Sequence, residues 1–148
     1  ACNHCEEPAC LTACTLEAIE KRDDGVVFVD RDKCSGLKLC ISACPYAVPK
    51  ISNDKQEPDK KEGWVINHPM QKCDFCRSSR VDQGMQPVCV AACAARALDS
   101  GDYDALMRKY PDAVPMSKAD FPYAYRNDVE DNTKPMFLIR KRKAQTII

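Results

Sequence analysis

Cysteine is the residue type that can do chemistry in this chain, and its placement is patterned. The eleven cysteines form three groups with none left over. They read Cys2-x2-Cys5-x4-Cys10-x3-Cys14, then Cys34-x5-Cys40-x3-Cys44-Pro45, then Cys73-x2-Cys76-x12-Cys89-x3-Cys93. Spacing of this kind lets one short loop turn several thiolates toward a single small body while a further cysteine leaves for a second one. That is how cubane iron–sulfur clusters are held. Backbone N–H groups of such loops point at the sulfurs and offset their negative charge. An odd cysteine count weighs against a closed disulfide framework. Loading a cluster needs reduced thiols, so folding is expected in the cytosol, wherever the protein ends up. The chemistry implied is one-electron transfer.

In two-cluster ferredoxins the fourth ligand of each cluster is the last cysteine of the partner motif. The same exchange fits here. Cys2, Cys5 and Cys10 with Cys44 would hold one [4Fe–4S] cluster, and Cys14 would join Cys34 and Cys40 at a second. Pro45 follows Cys44 and fixes the backbone leaving the first cluster; Thr15 and Ala94 stand at the equivalent positions of the other motifs. The second motif has a gap, because Leu37 stands where its middle cysteine should be. Leucine cannot bind iron, so the expected group at Cys14, Cys34 and Cys40 is a [3Fe–4S] cluster of higher potential. Cys73, Cys76 and Cys89 supply three ligands for a third cluster. By the exchange rule Cys93 reaches out to a fourth; the alternative is that it folds back and closes a local four-cysteine site. Zinc is the rival metal, because Cys73/Cys76 with Cys89/Cys93 could form a ribbon. The three-plus-one pattern ending in Cys-x3-Cys-Pro is not a zinc signature.

The elements that must position these thiols are short. Residues 1–52 carry the first two motifs, residues 53–72 form an insertion or connector, residues 73–100 carry the third motif, and residues 101–148 form a tail. Asp23-Asp24-Gly25 is hairpin-turn chemistry leading into a strand at 26–29. Residues 50–62 are charged and polar and are expected to be exposed, and Trp64-Val65-Ile66 returns the chain to the core. A helix is expected over 103–110, ended by Pro111. Phe137-Leu138-Ile139 reads as a strand before the basic run at 140–143. Each motif's last cysteine is followed by a small and then an aliphatic residue: Ala18-Ile19, Ala47-Val48 and Ala97-Leu98. This internal repeat suggests a loop that grips a cluster and then turns into a short helix packing on it.

Other residues carry plainer expectations. His4 lies inside the first ligand loop and is expected to pack near the ligands or at the surface. His68 is a loop residue. Tyr46 and Phe75, each beside a ligand, shield the metal from water. Formal net charge is zero, which gives no long-range attraction to nucleic acid. No apolar run is long enough for a transmembrane segment. Without a nucleophilic triad or a phosphate-cradling glycine loop, no substrate chemistry of the chain's own is indicated.

Three stretches carry a resemblance: CNHCEEPAC at 2–10, CISACPY at 40–46 and KCDFCRxxRVxxGxxPVCVxAC at 72–93. Together they resemble the four-cluster ferredoxin-like electron-transfer subunits of molybdenum or tungsten oxidoreductases, over roughly residues 2–100. That group includes the beta subunits of dimethyl sulfoxide, polysulfide, nitrate and selenate reductases and of formate dehydrogenases. The resemblance implies an α+β fold of tandem bacterial-type two-cluster ferredoxin-like modules with short helices and small antiparallel hairpins. It implies a large molybdenum/tungsten-pterin catalytic subunit as partner and often a membrane anchor subunit that reacts with quinone. It leaves the location open between the membrane periphery and export with the catalytic subunit. The nitrate reductase branch has tryptophan at the position of Leu37 and a [3Fe–4S] cluster there. The family has four cysteine motifs, whereas this chain shows three. The chain is therefore expected to be the C-terminal portion of a longer protein whose upstream motif pairs with that at 73–93. An independent soluble polyferredoxin is the second expectation.

Overall fold

The computed structural model of the chain describes residues 2–116, 136 and 138–140. In chain order the elements are α1 (Ala9–Thr12), β1 (Ile19–Lys21), β2 (Val27–Val29), α2 (Leu39–Ala43), α3 (Val88–Ala91), α4 (Tyr103–Lys109), β3 (Val114–Pro115) and β4 (Leu138–Ile139), with a 3₁₀ turn at Val81–Gln83 before α3. Short helices alternate with small antiparallel pairs, the α+β mixture expected.

The first hairpin pairs β1 with β2 in the register Ile19↔Val29 and Lys21↔Val27. Its turn is built as the Asp-Asp-Gly stretch suggests. Gly25 takes φ +81° and donates to the Arg22 carbonyl, while the Asp24 carboxylate accepts the Val26 N–H. The alternation of the two strands turns Ile19 and Val27 inward, where both are buried. They join Ala18, Met70, Cys34 and Cys40 in one apolar core, with Cys10, Leu11 and Cys14 packed at its margin. Four of the candidate ligand cysteines are thus part of the core or its margin. Each aliphatic side chain closed off here contributes roughly 1.5–3 kcal/mol.

The short helices do not come after the last cysteine of each motif, as the repeat suggests; they precede it. α1, α2 and α3 each carry the next-to-last cysteine of their motif as their second residue: Cys10, Cys40 and Cys89. Pro8 and Pro87 stand just before α1 and α3 and help to fix where those helices begin. The last cysteine of each motif, Cys14, Cys44 or Cys93, comes as the helix ends. A tight turn comes next in place of a helix, and after Cys14 that turn leads into β1.

Residues 50–71 form a strap closed at its base by the Lys50↔Gln71 bridge. Most of the stretch 53–63 is exposed, as the charge run predicts, but Trp64 is buried and Ile66 half-buried. In the tail, the Asp102 carboxylate caps α4 by accepting the Ala105 N–H at 2.9 Å, and β3 pairs with β4 through Val114↔Ile139. The expected tail strand is therefore present at Leu138–Ile139, whereas Phe137 and residues 141–143 of the basic run lie outside the described residues. Among the described residues no helix is long and apolar enough to cross a membrane.

Candidate metal centres

All eleven cysteines lie among the described residues, and none is paired in a disulfide. Three loops of one design present them. The residue two places after each first cysteine has positive φ: His4 (+41°), Gly36 (+76°) and Phe75 (+61°). The residue three places after each last cysteine does too: Glu17 (+51°), Ala47 (+51°) and Arg96 (+50°). At these second positions the N–H returns to the cysteine carbonyl, in Glu17→Cys14, Ala47→Cys44 and Arg96→Cys93, at 3.0–3.2 Å. Non-glycine residues rarely adopt this backbone, so its recurrence at matching positions marks three similarly constrained loops.

The first loop and the end of the second come together. Burial pushes the Cys10 thiol up to about 12; Lys72 opposes the shift, and Cys2, Cys44 and Cys5 add to it. Burial likewise raises Cys2, with Cys73 and Cys44 among the charges acting on it. The Cys44 thiol of the second motif is thus near enough to act on Cys2 and Cys10 of the first. The converse also holds. Cys14 lines the same pocket as Cys34 and Cys40, with Leu37 in its wall, and the raised Cys40 thiol responds first to burial and then to Cys34 and Cys14.

N–H donors reach several of the sulfurs. Met70 donates to Cys34 Sγ at 3.4 Å, Phe75 to Cys73 Sγ at 3.4 Å and Ala97 to Cys93 Sγ at 3.3 Å. The Ala97 bond is the main reason the Cys93 thiol lies below its ordinary range. Such donors suit thiolates bound to a cluster. In the third motif Cys73, Cys76 and Cys93 are half-buried and Cys89 is exposed.

The polar residues within the first loop fit the same group. Asn3 and His4 are only 5% and 6% exposed. His4 Nδ1 accepts the Val27 N–H at 3.1 Å, which leaves the proton on Nε2. That N–H and the Asn3 Nδ2 amide have no partner among the described residues. A buried unpartnered donor costs about 1–3 kcal/mol, and the sulfur atoms of a cluster held by the flanking cysteines would be acceptors. His4 is thus buried beside the ligands, not at the surface. Phe75 meets the His4 ring edge-on at 5.7 Å between centroids, and Tyr46 is buried; both suit the shielding role. His68 is tied to Asp54 at 2.9 Å on the strap. Lys72 opens the stretch at 72–93 that carries the resemblance, but cysteine spacing gives it no role of its own. Its Nζ donates to the carbonyls of Val27 and Cys73, a placement that depends on the hairpin folding against the third motif.

Residues 1–103 match a family model described as a 4Fe-4S dicluster domain. The B chain of the anaerobic dimethyl sulfoxide reductase of Escherichia coli (strain K12) is 41% identical over 124 residues, which are 82% of this chain and 54% of that protein. The beta subunit of the perchlorate reductase of Dechloromonas aromatica (strain RCB) is 39% identical over 78% of this chain and 33% of its own length. The B subunit of the tetrathionate reductase of Salmonella typhimurium (strain LT2) is 37% identical over 68% and 35%. The chain spans about half or less of the length of these relatives.

Proposed function

Because the protein belongs to the 4Fe-4S dicluster domain family, we propose that it is the electron-transfer part of an oxidoreductase complex, relaying single electrons through a row of iron–sulfur clusters. The observation that supports this reading is the placement of the last cysteines: Cys44 is close enough to act on Cys10 together with Cys2 and Cys5, while Cys14 lines the pocket of Cys34 and Cys40. Reciprocal ligation puts two clusters side by side in one small module, which is what a relay needs and a structural metal does not.

In this reading Cys2, Cys5, Cys10 and Cys44 hold a [4Fe–4S] cluster. Cys14, Cys34 and Cys40 hold a [3Fe–4S] cluster beside Leu37. Cys73, Cys76 and Cys89 begin a third cluster, and Cys93 serves a further one. Residues 1–52 form one two-cluster module, residues 53–72 the connector, residues 73–100 half of a second module and residues 101–148 the tail. The partner at one end of the relay is a molybdenum/tungsten-pterin catalytic subunit, as the reductase names of the relatives suggest, and a membrane anchor subunit is the natural acceptor or donor at the other.

The test is anaerobic purification of the full-length protein, with iron and acid-labile sulfide counted per chain and electron paramagnetic resonance recorded in both redox states. The expected result is a [3Fe–4S] signal when oxidised, [4Fe–4S] signals when reduced, and co-purification of a large pterin-containing subunit. A colourless, zinc-loaded protein would defeat the proposal.

A further inference from the structure

We propose that Lys72 is a potential-setting residue: a fixed cation held between the first and third cluster sites that makes both clusters easier to reduce. The inference rests on the cluster reading above and concerns a side chain that is not itself a ligand.

Three observations place Lys72 between the sites. It directly precedes Cys73, and its Nζ donates to the Cys73 carbonyl at 3.1 Å. The same ammonium group also donates to the Val27 carbonyl on the hairpin, and the Val27 N–H is held by His4, whose loop carries Cys2 and Cys5. One cation is therefore tied to the third loop directly and to the first through β2. Its charge is felt at Cys2, Cys10 and His4, and Cys2 also feels Cys73, so the two sites are near neighbours across this junction.

Among the described residues its partners are backbone carbonyls, which orient an ammonium without neutralising it. His4 contributes no charge of its own while its Nδ1 accepts the Val27 N–H. Of the carboxylates that act on His4 across the junction, Asp24 is engaged by Arg77 at 2.7 Å, and Asp74 accepts the Cys76 N–H at 2.8 Å. Arg77 is shared with Asp82 at 2.8 Å. Each cluster gains one negative charge when it takes up an electron, so a nearby half-buried cation favours the reduced form. With Cys14, Cys34 and Cys40 gathered at a separate pocket on the Leu37 side, that site should respond least.

The experiment is a redox titration of the full-length, cluster-loaded protein followed by electron paramagnetic resonance, comparing wild type with Lys72→Met, Lys72→Gln, Lys72→Arg and the distant Lys109→Met. Lys72→Met should lower the midpoints of the first and third clusters by about a tenfold change in the reduced-to-oxidised ratio, ~59 mV for one electron. The cluster beside Leu37 should hold its midpoint, Lys72→Arg should restore the wild-type values, and Lys109→Met should change nothing. Lys72→Gln keeps donors for the carbonyls but not the charge, and it should reproduce the shift even if Lys72→Met fails to load. Fully loaded Lys72→Gln with wild-type midpoints would overturn the proposal. So would an equal shift of all three clusters, or failure of Lys72→Gln to load where Lys72→Arg loads, which would assign Lys72 to holding the loops together. Absence of iron from the wild-type protein would instead defeat the cluster reading itself.

Discussion

At the scale of single residues, Leu37 and its neighbour Gly36 decide what the second site can be. Leu37 is 55% exposed and lies in the wall of the pocket that Cys14 and Cys34 also line. A cysteine there would remove few packing contacts and would stand at the step corresponding to Cys5 and Cys76. Leu37→Cys is expected to convert the proposed [3Fe–4S] cluster into a [4Fe–4S] cluster, seen as loss of the oxidised-state paramagnetic signal and a gain of one iron per chain. An unchanged signal and iron count would refute the assignment. Gly36 matters for a different reason. Its φ is +76°, and a Cβ there would lie 2.7 Å from Ile66 Cδ1. Because Ile66 can shift, the main cost of Gly36→Ala is the backbone, about 1–3 kcal/mol, measurable as a lower unfolding midpoint of the loaded protein. The gap in cysteine spacing at Leu37 is legible in the sequence, because spacing is a local pattern. The role of Gly36 is not, because it depends on a strap that returns about thirty residues later.

At the scale of elements, the sequence is most readable where local chemistry is complete and least where elements are very short. α4 carries its own start and stop, with Asp102 as cap, Arg108 and Lys109 in its last turn and Pro111 beyond it; the observed helix Tyr103–Lys109 ends one residue short of the expectation. α1, α2 and α3 have four or five residues, too few to show a periodicity, and so the repeat alone puts its helices on the wrong side of the last cysteine. α4 also supplies a pH prediction. The Lys109 ammonium, the Tyr110 hydroxyl and the Ser100 N–H hold the Asp99 carboxyl down at about 2. A depressed carboxyl stabilises the folded form above its unfolded value of about 3.9 and loses that contribution as pH falls toward 2. Screening keeps the effect small, at most about 1 kcal/mol. The Asp99 carboxyl carbon resonance should therefore titrate near 2, and Asp99→Asn should speed amide exchange at Leu106 and Tyr110 at neutral pH. A midpoint near 3.9 would show that the anchor is not formed in solution.

At the scale of the whole molecule, the cluster module is completed by the strap over residues 50–71, which composition alone would class as a loose insertion. Its polar surface matches that description, but its anchor does not. The Arg31 guanidinium stacks on Trp64 at 3.8 Å from the ring centroid and binds both Glu57 oxygens through Nη2 at 2.7–2.8 Å. Gln71 adds a bond to Glu57 at 2.8 Å. The chain then leads through buried Pro69 and Met70, where the Met70 N–H donates to Cys34 Sγ. The lone tryptophan is a visible hint that the chain turns inward, but its cationic partner lies more than thirty residues upstream and no local pattern links them. Trp64→Ala should cost about 3–5 kcal/mol if the cavity cannot collapse, with a specific consequence for the sites. Losing the anchor frees Met70 from Cys34, so the cluster proposed at Cys14, Cys34 and Cys40 should become the more labile one, while that proposed at Cys2, Cys5, Cys10 and Cys44 should be retained. Limited proteolysis should show new cleavage within 53–63, and paramagnetic resonance during slow exposure to a chelator should show the [3Fe–4S] signal decaying first. Equal decay of both clusters would mean that the strap stabilises the module as a whole and has no particular hold on Cys34.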